Sequence, residues 1–147
     1  MVSRTSQASR LLQLKTLRTD ASKARMMKAA ALLELARQRE QHALAVLRDV
    51  RAHAAERRTE RLQAIFDSER EHGNLQALAV AAWVKTDEEI ALASGDVVHS
   101  ARARQAGEQS LLLAQQELAR TMRAQQKAEE LLSLETKRER HAQSRQG

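Results

Sequence analysis

From its first residue to His72 this chain meets no glycine, and it has no proline anywhere. Proline removes a backbone donor and clashes with the preceding turn, and glycine inside a helix costs about 1 kcal/mol against alanine. A stretch of that length without either, and poor in the β-branched and aromatic residues that fill strands, has one regular structure open to it. The composition agrees. Ala and Leu lead, followed by Arg, Gln and Glu, all strong helix formers. With one Phe, one Trp and no Tyr or Cys, there is little material for an ordinary core. The fold class read from the sequence is all-α.

Apolar residues recur at three- and four-residue steps, first as Leu14, Leu17, Ala21 and Ala24 and later as Ala43, Leu47, Val50 and Ala54. Such a stripe suits the seam of two helices. "HGN" at 72–74 reads as a stop and a restart, with Gly73 in the left-handed position after a helix and Asn74 capping the next. Weaker punctuation follows. Thr86 and Glu89 have the spacing of a capping box, and "SGD" at 94–96 offers a kink near Gly95, although a continuous helix also tolerates that glycine.

The Gly73–Asn74 turn is the midpoint of the chain, so folding it back makes neighbours of residues whose numbers total about 147. Leu11, Leu12, Leu14 and Leu17 then face Leu131, Leu132 and Leu134, while Leu32, Leu33 and Leu35 face Leu111, Leu112 and Leu113. Ile65 and Phe66 face Ala81 and Ala82, and Trp83 faces Ala64. The expected architecture is one antiparallel two-helix coiled-coil hairpin over 1–147. One arm covers about 9–72 and the other about 75–141, with frayed ends at 1–8 and 142–147. At 1.5 Å per residue each arm would be roughly 100 Å long.

The excess of positive charge is local. Residues 1–40 carry nine Lys or Arg against three Asp or Glu, and the remainder balances. Such an arm suits an acidic protein, nucleic acid or an anionic membrane, and also has the look of a mitochondrial presequence. The helical pattern running on through it argues against a presequence. Nucleic acid is disfavoured because stacking needs exposed aromatics, and both aromatics lie near the turn. No apolar run is long enough to span a membrane.

Chemistry has few candidates. There is no Cys, no phosphate-binding glycine loop and no second partner for Glu69-x-x-His72, the spacing used in di-iron bundles. His42 and His53 would stand about 16 Å apart along a helix, too far to share a metal. No catalytic, metal or cofactor-binding residue is assigned, and no small-molecule substrate is expected.

Two surfaces remain. The chain ends, "SRTSQASRLLQLKTLR" at 3–18 and "LLSLETKRERHAQSRQ" at 131–146, would share a basic, partly apolar tip with Arg4, Arg10, Lys15, Arg18, Lys137, Arg138 and Arg140. Beside the turn lies "LQALAVAAWV" at 75–84, apolar around its whole circumference. Leu75, Leu78 and Ala82 suit the seam, and one partner helix covers only one stripe. Phe66, His72, Leu75, Leu78 and Trp83 are therefore expected to form a partner site.

In its N-terminal "SRLLQLKTLRTDASKARMMKAAALLELARQRE" (9–40), midpoint "EHGN" and C-terminal "LLSLETKRERHAQ" (131–143), the chain resembles the FliJ/YscO family of type III secretion and flagellar export stalks. The likeness covers the whole chain in pattern rather than in an invariant motif. It implies a non-enzymatic cytoplasmic protein, peripheral to the inner-membrane secretion apparatus and similar to the two-helix shaft of rotary ATPases. The basic ends would enter the pore of a hexameric secretion ATPase. The turn end would meet the export-gate membrane protein or secretion chaperones. The alternative is a basic, architectural coiled coil that binds nucleic acid.

Overall fold

The computed structural model describes residues 3–68 and 75–146, and every one of them except Ser3 and His53 is helical. Three helices follow in order: α1 (Arg4–Ala52), α2 (Ala54–Ser68) and α3 (Leu75–Gln146). Ser3 caps α1, its Oγ accepting the Ser6 amide at 3.0 Å, so the helix is already formed over residues expected to fray. At the other end α3 runs on to Gln146, with Arg145 in its last turn, where a cation suits the helix dipole. The Gly73–Asn74 turn lies outside the described residues.

α1 and α2 are separated by His53 alone. The hydrogen-bond ladder crosses the gap, from the His53 amide to Asp49 O at 3.0 Å and from the Arg57 amide to His53 O at 2.9 Å. α3 passes unbroken through both Thr86 and Gly95. The capping-box reading of Thr86 and Glu89 is thereby corrected: both are mid-helix, and Thr86 Oγ1 donates back to Ala82 O at 3.2 Å.

The chain divides into two compact units. One joins residues 1–33 to 107–147, and the other comprises 34–106. In the first, α1 and α3 run in opposite directions, with Thr19 Oγ1 donating to Thr121 O at 3.3 Å and Gln125 donating to Thr16 Oγ1 at 3.4 Å. Arg25 pairs with Glu117 on the exposed flank.

Small residues make up much of the buried seam, with Leu12, Met26, Leu33 and Leu47 interspersed. Along α1 its buried or half-buried positions include Ala8, Leu12, Thr19, Ser22, Met26, Ala29 and Leu33, spaced by threes, fours and one seven. In the second unit the buried positions are Ala43, Leu47 and Ala54, with Ala82, Thr86 and Ala93 on α3. At Gly107 the helices approach so closely that a Cβ there would sit 3.5 Å from Leu33 Cα and 3.3 Å from its Cδ1. Small residues permit that approach.

The later stripe read from the sequence, Ala43, Leu47, Val50 and Ala54, is this seam. The earlier one is not. Leu14, Leu17, Ala21 and Ala24 all lie exposed, Leu17 at 66%. Both stripes have helical spacing, and the smaller, more polar one allows closer packing.

The mirrored register shifts in the first unit and holds in the second, where Arg61 and Thr86 total 147 and Arg57 and Glu89 total 146. Thr19–Thr121 and Leu33–Gly107 both total 140, seven short of the expected 147. Leu33 therefore packs on Gly107, one turn before Leu111. A slip of seven is one heptad, which keeps the same face inward and so leaves the apolar pattern almost unchanged.

Candidate interaction surfaces

In the first unit, Arg4 and Leu11 of α1 border a groove whose other wall is Leu131 and Glu135 of α3. Glu135 accepts from Arg138 at 3.3 Å, one turn along the helix. Lys137, Arg140 and His141 line a separate notch further along α3. Leu11, Leu14, Leu131 and Leu134 are exposed among these cations. Arg10 and Arg18 are exposed on α1, Arg18 one heptad on from Leu11, while Lys15 is half-buried at a seam position between Leu12 and Thr19. The seven basic residues expected at the chain ends thus fall within one unit.

In the second unit, Phe66 (51% exposed) and Trp83 (49%) keep about half their surface in solvent, and Leu78 is half-buried. His72 lies outside the described residues, as does the Leu75 side chain. The Arg58 guanidinium lies over the Trp83 ring, 4.5 Å from the centroid, and also pairs with Asp87 at 2.6 Å. An arginine stacked on an indole and held by a carboxylate fixes the ring against α2. Val80 and Val84 are exposed on the same helix, roughly one turn apart.

Beside this cluster lies an ion-pair network that the reading of the sequence passed over. Arg61 donates to Thr86 Oγ1 at 2.6 Å and pairs with Glu89. Arg57 lies 3.7 Å from the other Glu89 oxygen and 3.9 Å from Asp49. Thr86 is wholly buried by these contacts. The signal was present as "ERRTER" (56–61) folding back on "TDEE" (86–89). The acidic stretch instead suggested a cap.

At the gap between α1 and α2, His53 Nδ1 sits 2.9 Å from Asp49 O and 3.1 Å from its carboxylate. The hydrogen bond to Asp49, then the Asp49 and Glu56 charges, raise the imidazole pKa above its ordinary 6.5, against a smaller opposing effect from Arg57.

Comparison with protein-family models, curated proteins and solved structures finds no match. Among the described residues there is no group of three His, Cys, Asp or Glu side chains that could hold a metal, and no helix is long and apolar enough to cross a membrane. What the geometry offers is surface. One patch combines leucines with cations; the other combines half-exposed aromatic rings with a fixed arginine.

Proposed function

We propose that this chain is a non-enzymatic stalk or adaptor of a bacterial type III secretion ATPase, an antiparallel coiled-coil hairpin turning near Gly73–Asn74. In this reading it acts in the cytoplasm, peripheral to the inner-membrane apparatus. The observation that carries the reading is the exposed leucine and cation surface of the unit that holds both chain ends. Leu11, Leu14, Leu131 and Leu134, left in solvent beside a seam rich in small residues, suit a chain whose larger apolar side chains serve a partner. The surrounding Arg and Lys suit an acidic lumen, as in the pore of a hexameric ring. Phe66, Leu78 and Trp83 would meet the export-gate protein or a secretion chaperone. The resemblance to the FliJ/YscO stalks supports the same assignment.

The test is to add the purified chain to a hexameric secretion ATPase and follow phosphate release. Stimulation by the wild-type chain, lost when Arg10 and Arg140 are both changed to Glu, is the expected result. No stimulation and no co-sedimentation with the ring would overturn the reading.

A further inference from the structure

The exposed stripe on α1 has the features of a second helix-pairing surface. Assigned its own heptad, it places Leu14, Ala21, Lys28 and Leu35 at a, and Leu17, Ala24 and Ala31 at d. Each is exposed, and none belongs to the seam within the chain. From Leu14 to Leu35 the stripe runs about 32 Å along one helix.

The flanking positions indicate what covers it. In a parallel pair, each g residue meets the e residue five further along the other chain. Here those pairs are Gln13 with Arg18, Asp20 with Arg25, Met27 with Leu32, and Glu34 with Arg39. Two join opposite charges, one joins an amide to a cation, and one joins two apolar side chains. All eight residues are exposed. In an antiparallel pair with Leu17 opposite Leu35, Asp20 would oppose Glu34 and Arg25 would oppose itself. A single Lys at an a position lowers stability but specifies register and oligomeric state. Arg25 also pairs with Glu117 within the chain, but both are exposed, so that contact can exchange at little cost.

We propose that two copies of this chain pair in parallel along the outer face of α1, from Leu14 to Arg39. The same sequence supplies both halves of every flanking pair, so the second copy is the occupant that the charges fit. This pairing does not depend on the stalk reading.

Sedimentation of the full chain from about 1 to 200 µM should show a monomer–dimer equilibrium. Glu34→Arg and Arg39→Glu each set like charges across the interface, and each alone should weaken dimerisation by about tenfold. An equimolar mixture of the two variants should recover dimer, because both flanking pairs then join opposite charges, one in the native polarity and one reversed. Circular dichroism checks that each variant keeps its helix content. The chain has no cysteine, so Leu17→Cys should give a rapid disulfide dimer, whereas Gln116→Cys on α3 should not. A monomer throughout the range, a dimer indifferent to both charge reversals, failure of the mixture to recover, or no cross-link at position 17 would each overturn the proposal.

Discussion

Ser22 is 1% exposed, and its hydroxyl has no hydrogen-bond partner. A buried polar group left unpaired costs more than it returns, and serine is a poorer helix former than alanine. Ser22→Ala is therefore expected to stabilise the protein by about 0.5–1.5 kcal/mol in chemical denaturation. A loss of stability would mean that the hydroxyl finds a partner in solution. Leucines divide in the same way. Leu33→Ala empties a site that is 2% exposed and should cost about 2–4 kcal/mol. Leu17→Ala, in dilute solution, should stay within about 0.5 kcal/mol. The sequence did not separate these two leucines, because each lies on a stripe of helical spacing. Which stripe turns inward depends on how closely the backbones approach, and Gly107 against Leu33 gave no signal beyond a lone glycine.

At the level of elements, the two helical glycines of α3 have opposite surroundings. Nothing lies within 4 Å of a Cβ placed on Gly95, whereas one on Gly107 presses against Leu33. Gly95→Ala should raise stability by about 0.5–1 kcal/mol through helix propensity alone. Gly107→Val should lower it, because its branched side chain forces the two helices apart. Thermal melts of the two variants check both signs. The helices were legible from the scarcity of breakers; the continuity of α3 was not, because Gly95 and the Thr86–Glu89 spacing each offered a break, and neither was the gap at His53, since nothing around it breaks a helix.

His53 gives that gap a pH dependence. Its folded pKa is raised above 6.5, so protonated His53 favours the folded state. That contribution is fully present below about pH 6.5 and fades as pH rises through the folded value. An NMR titration should place the His53 midpoint higher in the folded than in the chemically unfolded chain. The wild-type melting temperature should also fall more between about pH 5.5 and 8.5 than that of His53→Gln. Equal falls would remove the Asp49 contact from the account.

For the whole molecule, a seam rich in small residues limits how much surface folding removes from water. The chain exposes 11250 Å² at 16.5 kDa, against about 7500 Å² for a compact monomer of that mass. Taking about 24,000 Å² for the unfolded chain, it buries only about three quarters of what a compact protein of its size would. Denaturant m-values and the heat capacity of unfolding both scale with that area. A compact protein of this length would have a ΔCp of about 2 kcal/mol/K, so calorimetry here should give about 1.5 kcal/mol/K at low concentration. The general fold class was legible because composition alone prescribes helix, and the shortage of aromatic residues already pointed to a thin core; the size of the deficit was not, because it depends on which residues turn inward. Pairing of a second copy along α1 would cover part of the exposed apolar face. Both ΔCp and the melting temperature should then rise with protein concentration in the wild type, and Glu34→Arg should need about tenfold more protein for the same rise. A concentration-independent ΔCp near 2 kcal/mol/K would mean that the isolated chain buries as much surface as a compact protein of its size.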